Sequence, residues 1–153
     1  MDKRQELMTG LMDLLNEINY RNKPEMEAEL SGMTLNEVEL IELIAKEPSA
    51  NVTRLAEATH MTRGAISKLT KKMIKRELIE MYQIPENRKE TFFKLTKEGQ
   101  LVFDKHQLLH QQWLERDAEV FNQLSDADYH VFFEFINRYQ KKIAEDNVDK
   151  ETK

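Results

Sequence analysis

TRGAISKLTKKMIKRELIEMYQIPENRKETFFKLTK, residues 62–97, decides how this chain is read. Its first fifteen residues, Thr62 to Arg76, carry Arg63, Lys68, Lys71, Lys72, Lys75 and Arg76 and no carboxylate. Up to Lys97 the stretch holds 10 Lys and Arg against Glu77, Glu80, Glu86 and Glu90, a net charge of +6 on a chain that is −5 in total. The remainder therefore sums to −11. A cationic block on an anionic protein is an address for a polyanion, and nucleic acid is the commonest one.

The periodicity within this stretch changes once. Ala65, Ile66, Leu69, Met73 and Ile74 recur at helical spacing behind Thr62, an N-cap residue. After Leu78 the pattern shortens. Leu78 to Gln83 and Thr91 to Leu95 read as strands around a polar tip, Ile84 to Glu90. Upstream, Asn51 to Thr59 forms a short helix with Val52, Leu55 and Ala56 inward, joined to the basic helix by Thr59-His60-Met61. Two helices linked by about three residues, the second basic on its free face, make a helix-turn-helix, and the hairpin is its wing.

Working outward, Thr34 and Glu37 form a capping box ahead of a helix from Asn36 to Lys46, closed by Pro48. Lys3 to Asn22 is a first amphipathic helix with Leu7, Leu11, Leu14, Leu15 and Ile18 on one face, ended or interrupted by Pro24. Thr96 caps a long helix from Lys97 to Phe121. Ser125 caps a last helix bearing Tyr129, Phe132, Phe133, Ile136, Tyr139 and Ile143, with a frayed charged tail from Glu145. Long amphipathic helices must bury one face, and a second copy of the chain is the economical cover. The expected architecture is mainly α with a small β-wing, a winged helix-turn-helix flanked by long N- and C-terminal dimerisation helices. Residues 1–33 are the N-terminal dimerisation helix and linker, 34–98 the DNA-binding region, and 99–153 the C-terminal dimerisation helices, as one domain overall.

With no cysteine, disulfides, thiolate metal sites and cysteine nucleophiles are excluded. There is no glycine-rich phosphate loop and no Ser/His/Asp arrangement with recognisable context, so an enzyme is not expected. No apolar run reaches the roughly 20 residues that span a bilayer, and the N-terminus lacks a signal-peptide core. The expectation is a soluble cytoplasmic protein.

The residues resemble the MarR family of bacterial transcription regulators over nearly the whole chain. The family's wing pattern is roughly Asp-Pro-x-Asp-Arg-Arg, then a strand and Leu-Thr-x-x-Gly. This chain has Ile84-Pro85-Glu86-Asn87-Arg88-Lys89, then Leu95-Thr96-Lys97-Glu98-Gly99. Ala65-Ile66-Ser67-Lys68-Leu69 is similar to the family's recognition helix. The resemblance implies a repressor that binds double-stranded DNA as a homodimer, with Arg88 entering the minor groove and Lys89 beside it. It also implies that the first and last helices intertwine, through Leu7, Leu11, Leu14, Leu15 and Ile18 against Phe132, Phe133, Ile136, Tyr139 and Ile143. On the recognition helix, Arg63 and Lys68 can reach guanine edges or phosphate, and Ser67 can make a close contact. Gly64 allows backbone approach, and Thr62 with the free N–H groups of the helix start can bind phosphate. Lys71 and Lys72, with Lys75, are assigned to phosphates. Arg54 either clamps the DNA backbone or pairs with Glu57. A dimer would read two half-sites of a pseudo-palindrome about one helical turn apart.

His106 and His110 stand at i, i+4, a spacing at which two imidazoles can share a metal, and a zinc-sensing branch of the family uses such a pair. Glu25, Glu27 and Glu39 are the acidic candidates to join them, an incomplete set. A small organic effector is the family's other habit, with Tyr20, Met26, Met33, Phe103 and Trp113 as candidate lining, residues that serve as plain core more often. Two alternatives to an effector-controlled regulator stand beside it. One is a zinc-responsive regulator of the same fold, the other a winged-helix adaptor that binds protein instead of DNA.

Overall fold

In the computed structural model, which describes residues 2–30 and 32–151, the chain forms α1 (Lys3–Glu29), α2 (Leu35–Lys46), α3 (Val52–Thr59), α4 (Arg63–Lys75), β1 (Ile79–Ile84), β2 (Asn87–Leu95), α5 (Lys97–Arg116), α6 (Ala118–Phe121) and α7 (Asp126–Glu151). Met1, Ser31, Thr152 and Lys153, the ends and linker of the expected segments 1–33 and 99–153, lie outside the described residues. The chain divides into two compact units, Met1–Gln111 and Gln112–Lys153, with the boundary inside α5.

The core of the first unit joins Leu40, Ile41 and Ile44 of α2 to Leu55 and Ala56 of α3, Ile66 and Met73 of α4, and Leu78, Ile79 and Phe93 of the wing. Val102 and Phe103 of α5 pack against its edge. Thr34 and Glu37 make the full capping box at α2, and Asn51 caps α3 through the Arg54 N–H. The Thr62 hydroxyl accepts from Ala65 N–H at the start of α4. Between α3 and α4 the chain turns at His60, whose φ of 58° is left-handed. The hairpin is extended by a single bridge between Ala50 and Phe93.

Four expected boundaries are corrected. Pro24 neither ends nor breaks α1, which runs on to Glu29. Proline removes the N–H that would bond the Tyr20 carbonyl. Tyr20 is 83% exposed, so water can take that carbonyl, and buried Leu30 anchors the far end. The irregular wing tip Ile84 to Glu90 is instead a two-residue connection, Pro85-Glu86, with Ile84 paired to Asn87 and a register shift between Tyr82 and Ile84. α5 stops at Arg116, not Phe121. Asp117 takes φ −95° and ψ 9°, its carboxylate is held by Arg116, and the short α6 follows. α7 does not fray at Glu145 but continues to Glu151, helped by the Lys142–Asp146 pair at i, i+4.

The second unit begins within α5 and contains α6 and α7. Ser125 starts α7 by reciprocal bonds with Asp128, and the Ser125 N–H and hydroxyl hold that carboxyl below its ordinary value. Along α7 Phe132, Phe133, Phe135, Ile136, Tyr139 and Ile143 are exposed, and along α1 so are Leu7, Leu11, Leu14, Leu15 and Ile18. No described helix is long and apolar enough to cross a membrane.

Candidate nucleic-acid interface

The free face of α4 is built by its buried one. Ile66, Thr70 and Met73 recur at i, i+4 and i, i+7 and pin the helix to the core, which leaves Arg63, Gly64, Lys68, Lys71 and Lys75 exposed. Thr70 closes its own hydroxyl on the Ile66 and Ser67 carbonyls, so a polar residue sits in the buried seam at little cost. Ser67 lies half-buried between the two faces. A Cβ at Gly64 would meet nothing within 4 Å, so the surface is open there. Among the described residues Arg63, Lys68, Lys71 and Lys75 form no ion pair, and neither do Arg88 and Lys89 of the wing.

Two of the sequence-assigned cations are used differently. Glu37 has no exposed surface, and Lys72 Nζ lies 2.6 Å from its Oε1 as an ion contact, outside hydrogen-bond geometry. Arg76 NH1 donates to Oε2 at 2.7 Å. Lys72 thus has an ion partner at Glu37, while its side chain stays 56% exposed. Arg54 does not pair with Glu57. Its guanidinium donates to the Pro48 and Ser49 carbonyls and lies 3.5 Å from Glu47 Oε1, tying down the α2–α3 connection. The sequence contained the signal for the first correction, since Glu37 is three residues past its cap and Lys72 and Arg76 are one turn apart. Their meeting, 35 or more residues apart in sequence, could only come from the packing of α2 on α4.

At the wing, Asn87 closes the turn. Its Oδ1 accepts from the Lys89 and Glu90 N–H groups and its Nδ2 donates to Glu90. Gln83, at the register shift, donates to the Arg88 carbonyl. Arg88 therefore starts on a fixed strand backbone just past the turn, and Lys89, its neighbour, faces the other side of the ribbon. Tyr82 and Phe92 pack ring to ring across the strands, with Lys94 over the Tyr82 ring. The exit is locked by Thr96, whose hydroxyl donates to Glu77 O and accepts from Gly99 N–H.

His106 and His110 do meet, Nε2 to Nε2 at 2.9 Å, and the acidic partner is Glu42, which none of the sequence-assigned acids foretold. Glu42 Oε2 holds His106 Nδ1 at 2.7 Å while its Oε1 takes Lys46 and Gln107. Burial raises the Glu42 carboxyl, but hydrogen bonds from Lys46, His106 and Gln107 outweigh it and keep it below its ordinary value. Burial, then the charge of His106, pushes His110 down. No group of three or more His, Asp or Glu among the described residues has metal-holding geometry. Among the described residues the pair is thus part of a hydrogen-bonded chain that links α5 to α2. Of the effector-lining candidates in the first unit, Met33 and Phe103 pack on the core and Tyr20 is exposed.

The model of the MarR family matches residues 33–91, which span α2 to the start of β2, the part that carries the helix-turn-helix and the wing turn. The chain is 24% identical over 145 residues to the HTH-type transcriptional regulator PchR of Bacillus subtilis (strain 168), covering 95% of this chain and 83% of that protein. It is 29% identical to the HTH-type transcriptional regulator YvnA of the same organism, over 71% of this chain and 69% of the relative. Among solved structures, Streptococcus pneumoniae FabT in complex with DNA has the same fold, with a TM-score of 0.80 at 16% identity over 93% of this chain and 98% of that one. Capped recognition helix, hairpin wing and these likenesses agree in a winged helix-turn-helix whose residues 33–91 match the MarR family, in a chain similar to HTH-type transcriptional regulators.

Proposed function

We propose that the protein is a homodimeric repressor that occupies a pseudo-palindromic operator. Arg63 and Lys68 read base edges from the major groove, Ser67 and the open backbone at Gly64 make close contacts, and the capped start of α4 at Thr62 receives a phosphate. Lys71 holds the DNA backbone further along. Arg88 reaches a minor groove, where narrow A·T-rich tracts attract guanidinium, while Lys89, on the opposite face of the ribbon, meets phosphate. The observation that carries this reading is the α4 face itself, four exposed cations without a single ion pair among the described residues. An adaptor that bound protein would have no use for a face kept free of carboxylates.

The dimer follows from the exposed apolar stripes of α1 and α7, which a second copy would cover. An effector is part of the same reading. Staphylococcus aureus MarR, of like fold with a TM-score of 0.76 at 15% identity, has been solved in complex with salicylate and kanamycin, which supports an aromatic carboxylate as the first ligand to try.

Fluorescence anisotropy with genomic fragments across a salt series tests the core of the proposal. A linear fall of log K with log salt, steepened by several phosphate contacts, is expected, and salicylate should release the bound fragment. A flat salt response, or no binding near physiological salt, refutes it.

A further inference from the structure

The three-way contact at Glu37 does more than bury a charge. The carboxylate starts from the first turn of α2, where it completes the capping box with Thr34. It ends on the last two turns of α4, holding Lys72 and Arg76. Arg76 NH1 also donates to the Gly32 carbonyl at 3.2 Å, in the connection between α1 and α2. Gly32 is held at φ 76°, a backbone conformation that suits glycine, with the Arg76 guanidinium 3.7 Å from where a Cβ would sit. One carboxylate and one guanidinium thus join the α1–α2 connection, the start of α2 and the end of the recognition helix.

We infer that Glu37 is a positioning residue for DNA recognition: by clasping Lys72 and Arg76 it fixes the inclination of α4 and withdraws both cations from the phosphate-binding set. The inference rests on the reading of α4 as the DNA-contacting helix. The geometry explains why a carboxylate serves at this place. Apolar contacts through Ile66 and Met73 hold the helix against the core but tolerate small rotations, because apolar packing is not directional. At the far end of the helix the Arg76 hydrogen bond, on a carboxylate itself fixed by its own cap, is directional, and the Lys72 ion contact adds a charge tether beside it. A small rotation about α4 moves the Arg63 and Lys68 tips by several ångströms, enough to lose base contacts while leaving phosphate attraction intact. Removing the clasp should therefore separate two quantities that unfolding would lower together. Specific affinity falls, and nonspecific affinity holds or rises, because a carboxylate is lost and Lys72 is set free.

Glu37→Gln is the direct variant. It keeps the shape and the capping acceptor and removes only the charge. Full-length wild type, Glu37→Gln, Lys72→Met and Lys71→Met are compared by anisotropy on a selected operator and on a scrambled duplex across a salt series, with circular dichroism to score folding. Glu37→Gln is expected to lower the operator-to-scrambled ratio at least about fivefold, the size of losing one base-pair match. Lys71→Met should reduce the salt slope by about 0.9, the share of one phosphate contact, and Lys72→Met should leave the slope at the wild-type value. An unchanged ratio in Glu37→Gln, an equal loss on both duplexes, or a Lys72→Met slope that falls like that of Lys71→Met overturns the clasp. Should Glu37→Gln fail to fold, the Lys72→Met slope still decides whether that cation is withdrawn. If wild type itself binds no DNA, the parent reading falls and takes this one with it; wild-type binding with any of the three adverse results defeats the clasp alone.

Discussion

At Gly99, a Cβ would sit 2.0 Å from the Leu78 carbonyl oxygen, a backbone atom that cannot swing aside. The glycine of the Leu-Thr-x-x-Gly motif is therefore explained by approach, not by an unusual dihedral. Helix α5 leaves the wing so close to Leu78 that only hydrogen fits. Gly99→Ala is expected to cost at least about 3 kcal/mol in urea unfolding, the upper range for overpacking. A loss below about 1 kcal/mol would mean that the wing exit is softer than this contact implies. His110 supplies a second test at the same scale. Its pKa in the folded protein is depressed from 6.5, so below that pH the unfolded chain takes up the proton more readily and stability is lost. The Glu42 carboxyl, also depressed, acts in the same direction at lower pH, losing its contribution as pH falls below 4.5. Stability should decline from pH 7.5 to pH 5, and His110→Gln should flatten that decline; an equal slope in both proteins would show that His110 is not a source of it.

Among the elements, the turn between α3 and α4 carries avoidable strain. His60 adopts φ 58° and ψ 22°, a left-handed conformation that costs a residue with a Cβ roughly 1 kcal/mol. His60→Gly is expected to raise thermal stability by up to about 1 kcal/mol without altering operator preference, as differential scanning calorimetry and anisotropy would show. Reduced stability would indicate that the imidazole makes a contact worth more than the strain. The same scale shows why some elements were legible and others were not. Caps at Thr34 and Thr62 are local chemistry, three residues wide, and each stands where the sequence puts it. Pro24 and Asp117 misled in opposite senses. The proline was read as a break although its orphaned carbonyl lies on an exposed face where water can serve. The break at Asp117 has no glycine or proline to announce it. Around the wing, the seven residues from Ile84 to Glu90 read as a polar tip, yet Pro85 presets a tight turn and Asn87 closes it, which extends pairing to Ile84 and Asn87.

For the whole molecule, the notable feature is how much apolar surface the terminal helices expose. α1 has only Asn22 among its buried residues, and the stripe from Phe132 to Ile143 of α7 is exposed. In a homodimer these stripes become an interface core. Ile136→Glu should shift the protein from dimer to monomer in light scattering and lower operator affinity by at least about a hundredfold, since linked half-sites exceed either alone by that order. A dimer that persists at micromolar concentration would place the interface elsewhere.

The sequence by itself determined the element types, the caps, the charge reversal over residues 62–97 and the identity of the recognition helix and wing. All of these are written within a few residues or one helical period. Only the tertiary structure decided which cations are free. Lys71 and Lys72 are neighbours of the same charge, and nothing local separates them. Both are exposed, but packing α2 on α4 puts buried Glu37 beside Lys72 and gives Lys71 no ion pair. The same is true of His106 and His110, whose acidic partner Glu42 lies 64 residues away from His106 in sequence and is brought to it by the packing of α2 and α5. Partner choice over such separations depends on which helix faces meet, and that is a property of the folded core.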